Sequence, residues 1–314
     1  MIPTNLTQPA NPNPPFAGGG RGGGTPPGAA EASGVQRSKT NKSAEQLVLA
    51  IINPDLREKA IHDLSLKKEH LQDLAPLLWN SFGSVTALLQ EITSIYHVLS
   101  PPTLTQEASN RVCNALSLLQ CLAVHPDTKM NFLNAYMPLY LYPFLKTTTK
   151  TRAFEYLRLT SLGVIGALVK DDDTGVIHFL LSKEIIPLCL HTMQMGSELS
   201  KTVAIFIVQK ILSDDEGLKY ICATAERFFA VGNVLQQMVQ SVAESPSTLL
   251  LKYIICCYQR LSDNPRACDA LRNCLPDMLR DGTFDAYLHE DPMTHRSLQR
   301  LITNITRGAL HSGG

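Results

Sequence analysis

The sequence lacks most of the features by which an enzyme, a membrane protein or a nucleic-acid binder declares itself. It contains no Gly-x-Ser-x-Gly elbow, no Gly-x4-Gly-Lys-Ser/Thr phosphate loop and no His-Glu-x-x-His pair, and its glycine tract at 18–24 holds no lysine and opens no helix. Nor is there a recognisable carboxylate cluster of the kind a two-metal nuclease needs. A non-enzyme without cofactor is expected. No run approaches the ~18 apolar residues of a membrane span, and Met1 is not followed by a charged and then an apolar region. A soluble, unsecreted protein is expected.

Net charge is also missing, with 28 basic residues against 28 acidic ones. Arg21, Arg37, Lys39 and Lys42 against Glu31 make the first 42 residues net +3, leaving 24 bases against 27 acids, net −3, for the rest. A slightly acidic body has no bulk field for tight, salt-sensitive nucleic-acid binding. The eight cysteines all lie in apolar helical patterns, and adjacent Cys256 and Cys257 do not readily bridge each other, so reduced, buried thiols are expected. The Cys268/Cys274 and His289/His295 pairs are spaced more widely than paired zinc ligands usually are, which favours helix packing and exposed histidines over a metal site.

What is present is helix. Seven prolines and eight glycines crowd into residues 1–42, which have few large apolar side chains to offset ordering entropy, so a disordered tail is expected there. From Ser43 to about residue 307 apolar residues recur at three- and four-residue intervals, and prolines sit at the starts of runs; residues 308–314 read as a flexible end. Polar turns after apolar helices recur at Asp127, Asp172, Asp215 and Asp263, intervals of 45, 43 and 48 residues. This is the period of two- or three-helix HEAT and armadillo repeats. Within a period come a short helix through Phe132, a second opened by Pro138, and a longer third from about Ala153 to Lys170. The next repeats that order with Phe179, Pro187 and a helix from Glu198 to Leu212. The fold class expected is therefore all-α, an armadillo-like repeat solenoid. Residues 43–99 fit the template poorly and read as an N-terminal cap, and Pro292–Arg307 as the last helix.

In such a stack the third helices line a groove. Tyr156, Gly163, Gly166, Lys201, Thr202 and Val203 are its candidate residues, although the two glycines equally suit close helix packing. Arg111, Arg152, Arg158, Lys201 and Lys210 form either a basic stripe on this side or a solvated face. The segment from Leu71 to Leu99 is apolar around more than one stripe, as if a second face met a partner; Trp79, the only tryptophan, suits either the core or that interface.

Several strings carry a more specific likeness: Asp73 to Trp79, Asn110 to Leu116, Lys150 to Lys170, Gly196 to Ala204 and Arg260 to Ala267. From about residue 45 to 307 the sequence resembles the required-for-cell-differentiation (Rcd, or Caf-forty) family, the armadillo subunit of the Ccr-Not mRNA deadenylase complex. The resemblance implies binding by the Not scaffold subunit near Asn80, Phe82, Thr86 and Thr93. It implies a groove for short linear motifs of RNA-binding regulators at Tyr156, Gly163, Thr202 and Val203. It also implies pockets for tryptophan-bearing silencing proteins at Arg227 and Arg266, within Ala225-Glu226-Arg227-Phe228 and Asp-Asn-Pro-Arg266. Ala225 stands where the family carries tyrosine, which removes a ring from that pocket. A homodimer, and residence in cytoplasm (P-bodies included) and nucleus, are further implications. The alternative reading is direct single-stranded nucleic-acid binding, or transcriptional cofactor activity, through the groove.

Overall fold

A computed structural model describes residues 43–307; the tail over 1–42 and the end over 308–314 lie outside the described residues. All the regular elements described are helical. They are α1 (Ser43–Ile52), α2 (Pro54–Lys67), α3 (Leu74–Asn80), α4 (Ser84–Thr93), α5 (Gln106–Val124), α6 (Pro126–Asn134), α7 (Tyr142–Leu145) and α8 (Arg152–Leu168). They continue with α9 (Thr174–Ser182), α10 (Ile185–Met195), α11 (Glu198–Ser213), α12 (Asp215–Cys222), α13 (Ala225–Glu244), α14 (Thr248–Leu261), α15 (Pro265–Cys274), α16 (Asp285–Glu290) and α17 (Pro292–Arg307), with short 3-10 turns between some of them. No single helix described is long and apolar enough to cross a membrane.

The 43- to 48-residue spacing has a physical origin in helix capping. Each period's first helix has orphan amides that need an acceptor. Asp173 accepts from the amides of Gly175 and Val176 at 2.9 and 3.3 Å, Asp214 from Glu216 and Gly217, and Asn264 from Ala267. The acids noted in the sequence at 172, 215 and 263 are immediate neighbours of these caps.

Triplets follow from the caps: α6, α7 with its preceding 3-10 turn Met137–Leu141, and α8; then α9–α10–α11; then α12–α13–α14; and a last one of α15, α16 and α17. The third helices α2, α5, α8, α11, α14 and α17 pack on one another in chain order. The segment expected to be only a cap is more regular than that, because α3, α4 and α5 form a full triplet. Only α1 and α2 are left over. Its helical period is weak in the sequence because α3 and α4 are short, 7 and 10 residues.

In α11 the six residues Val203 to Val208 are all buried, since α8, α10 and α14 enclose it. A helix covered on three sides has no single apolar stripe. Second helices begin from a recurrent left-handed knuckle, at Gly83 (φ 80°), Tyr136 (φ 54°) and Glu184 (φ 56°), each the residue before the element that follows.

Candidate protein-binding surfaces

The first surface is the α3–α4 knuckle. Phe82 projects from it with 96 % of its surface exposed, far beyond what a folding core would leave of a phenylalanine. Asn80 ends α3 and Thr86 lies in the first turn of α4, both exposed, and Thr93 is half-buried two turns further along the same helix. Thr93 Oγ1 donates to the carbonyl of Leu89 at 2.9 Å. The four residues expected at a scaffold contact therefore lie on one short stretch of surface. Helices α1 and α2, which carry no such signal in the sequence, adjoin it: exposed Leu49, Ile52 and Leu56 lie on these helices, and Ile52 Cγ2 stands 3.8 Å from where a Gly83 Cβ would be. Trp79, next to Asn80 in the chain, is half-buried.

The second surface is the face of α8 beside α11. Tyr156 and Gly163 are seven residues apart, hence on one side of α8, and both are half-buried. A Cβ added at Gly163 would meet nothing within 4 Å, so this glycine faces open space. At Gly166 the same atom would stand 3.4 Å from Val203 Cγ1, so that glycine is a packing position. The two readings of the glycine pair are thus each true of one residue. Burial pushes the Tyr156 phenol above its ordinary range. Thr202 on α11 is half-buried and donates to the Glu198 carbonyl at 2.8 Å.

Val203 departs from expectation. Only 6 % of it is exposed, and its side chain lies in the seam against Gly166 instead of standing in the groove. The reason is the enclosure of α11, which leaves no face for Val203 but the α8 contact.

Of the five candidate bases in the stripe, Arg152 is exposed and Lys201 half-buried, and the other three do not stand free. Arg158 is fully buried, Arg111 pairs with Glu91 at 3.1 Å, and Lys210 pairs with Asp172 at 2.7 Å. Two bases that looked free in sequence are neutralised by acids 38 positions or fewer away, and a third lies inside the protein. A ladder of this kind offers little to a phosphate backbone.

Arg227 and Arg266 open α13 and α15, respectively, and both are exposed. The guanidinium of Arg227 lies 3.9 Å from the centroid of the Tyr220 ring on α12, so the helix before supplies an aromatic neighbour near the position where Ala225 has none. Among the described residues no group of three or more His, Cys, Asp or Glu is arranged to hold a metal. Cys113, Cys189, Cys257 and Cys268 are buried, and Cys274 is exposed at the end of α15, against the expectation that all eight are interior.

With this geometry in view, comparison with known proteins is direct. The cell differentiation family, Rcd1-like, matches residues 47–305. The chain belongs to that family. It is 60 % identical over 259 residues to the cell differentiation protein rcd1 of Schizosaccharomyces pombe, covering 82 % of this chain and 92 % of the relative. It is 57 % identical over 250 residues to protein CAF40 of Saccharomyces cerevisiae, covering 79 % and 67 %. A designed armadillo repeat protein superposes with a TM-score of 0.60 at 14 % identity, over 83 % of this chain and 99 % of the other. Another, solved in complex with the peptide (KR)4, gives 0.57 at 14 % identity, over 83 % and 98 %. These two likenesses establish the armadillo-type fold of this Rcd1-like chain.

Proposed function

We propose that this Rcd1-like chain is the non-catalytic adaptor of a Ccr-Not mRNA deadenylase complex. The α3–α4 knuckle binds the Not scaffold through Asn80, Phe82, Thr86 and Thr93. The α8–α11 face accepts short linear motifs of RNA-binding regulators over Tyr156, Gly163 and Thr202, with Val203 as packing beneath them. Arg227 and Arg266 serve tryptophan-bearing partners, and the protein works in cytoplasm, P-bodies and nucleus. The observation that carries the reading is the presence of two accessible surfaces on different helices of one stack: a phenylalanine 96 % exposed and a glycine facing open space. An adaptor needs two partners at once, and well-packed aromatic anchors and amphipathic grooves are the usual means.

The test is to fill the groove without touching the knuckle. A Cβ at Gly163 meets nothing within 4 Å, so Gly163→Trp should melt like wild type, its ring lying out over the groove, and bind a recombinant Not-scaffold helical module unchanged. Amphipathic peptides selected on the wild-type chain should lose at least tenfold in affinity. If none of those peptides is affected, motif binding does not use this face. Oligonucleotide binding that weakens steeply with salt would favour the nucleic-acid reading instead; the neutralised Arg111 and Lys210 and the buried Arg158 argue against it.

A further inference from the structure

Arg158 has no solvent exposure, and burying a guanidinium costs several kcal/mol unless its hydrogen bonds are met. Nη1 donates to Glu155 Oε1 at 2.6 Å. Nη2 donates to the carbonyls of Thr147 and Thr149, both at 3.0 Å, and to Thr147 Oγ1 at 3.2 Å. The Nε is left without a partner. A well-packed apolar side chain often replaces a buried ion pair at no loss of stability, so stability alone does not account for it.

The other Glu155 oxygen shows what the pair does. Oε2 accepts from the backbone N–H of Ser197 at 3.0 Å and from Ser200 Oγ at 3.5 Å. Ser197 is the N-cap of α11, and Ser200 is wholly buried in its first turn. One carboxylate therefore joins a guanidinium anchored in the α7–α8 loop to the start of the next third helix. The approach from α10 has no slack: a Cβ at Gly196 would stand 2.8 Å from the Thr192 carbonyl oxygen and 3.1 Å from Ser200 Cβ. Tyr156 follows Glu155 directly on α8, and Thr202 lies five residues after Ser197 on α11.

We propose that the pair of buried Arg158 and half-buried Glu155 is the spacer of the groove, holding the α11 N-terminus at a fixed separation from Tyr156 and so setting which motifs fit. Arg158 and Glu155 are positioning residues that never touch the peptide. The peptide part of this inference rests on the groove reading above; the positioning part does not.

Ser197 offers a clean test, because its φ of −61° already suits proline and Gly196 before it is extended. Ser197→Pro removes the N–H that Glu155 accepts and sets a ring carbon toward Oε2, so the carboxylate must leave the cap, while the contacts of Arg158 with Thr147 and Thr149 do not involve it. Ser197→Ala loses the same hydroxyl cap but keeps the N–H, and serves as the reference. Hydrogen exchange of the full chain should show amides of residues 198–203 at least tenfold faster in Ser197→Pro than in Ser197→Ala, with α14 and α17 unchanged. Equal exchange in the two variants, or uniform acceleration across all helices, would overturn the spacer. The probe for function is a library-selected amphipathic peptide whose binding Gly163→Trp abolishes. It should bind Ser197→Pro about tenfold more weakly than Ser197→Ala, with scaffold binding equal. Local acceleration with equal peptide affinity overturns the control of fit. If no selected peptide depends on Gly163, the groove reading fails, and the exchange comparison alone decides the positioning role. Glu155→Gln gives an independent check, since its amide places an NH2 donor where one of the two carboxylate oxygens now accepts, so Arg158 and Ser197 cannot both keep their acceptor; wild-type exchange at 198–203 in that variant would also overturn the proposal.

Discussion

At the scale of single residues, Val203 and Gly163 are the informative pair, since both were expected in the groove and only one faces it. Val203→Glu would bury an unpaired carboxylate against Gly166, a class of change that costs roughly 3 kcal/mol or more. Its thermal midpoint should fall by many degrees, in contrast to that of Gly163→Trp; a wild-type melt of Val203→Glu would show that the side chain reaches solvent. The thiols make a second prediction. Burial pushes Cys113 and Cys189 from the ordinary 9.0 up to about 12, and Cys257 well above 9.0. Their folded forms hold protons that the unfolded chain releases, so stability is fully present below about pH 9 and falls as pH rises through 9 toward 12. Urea midpoints under reducing conditions between pH 8 and 11 should trace that decline, and replacing Cys189 with alanine should flatten it. Ellman's reagent at pH 8 should label Cys274 on the native protein before any buried thiol.

At the scale of elements, the knuckles that start the second helices differ in what they demand. Gly83 takes its positive φ freely, whereas Tyr136 and Glu184 adopt it at a cost of about 1 kcal/mol. Tyr136 has compensation, its ring lying 5.9 Å from Phe179 and 4.9 Å from Lys183 Nζ. Glu184 is exposed, so Glu184→Gly should raise stability by roughly 0.5 kcal/mol while Tyr136→Gly should not. Chemical denaturation of the two variants gives the comparison, and a destabilised Glu184→Gly would assign that carboxylate a structural contact. Most elements were legible in the sequence because their signals are local: Pro138 and Pro187 at helix starts, acids beside the helix caps every 43 to 48 residues, and Pro292 opening α17. What escaped depends on distant neighbours. Arg158 reads as a surface base until the α7–α8 loop folds over it, and Val203 reads as a groove residue until α8, α10 and α14 close around α11. The left-handed Tyr136 and Glu184 also carry no local mark, since the usual glycine is absent.

At the scale of the whole molecule, the stacked third helices set apart the two surfaces that the proposed adaptor role assigns to different partners. Each third helix packs on its sequence neighbours, so α5 lies between the knuckle before α4 and the α8 wall of the groove. Changes at one surface should leave the other untouched, as additivity holds for distant sites without shared partners. The most direct measurement is the affinity of the full chain for a recombinant Not-scaffold helical module, by calorimetry, for wild type and for Phe82→Ala combined with Thr86→Tyr. Both side chains are exposed, so circular dichroism and the thermal midpoint of the double variant should match wild type. A buried aromatic anchor contributes about 2 kcal/mol or more to an interface, so scaffold affinity should fall at least thirtyfold while groove-peptide affinity stays the same. Native folding with undiminished scaffold affinity would contradict the account, and would mean that the exposed phenylalanine is not where the scaffold binds.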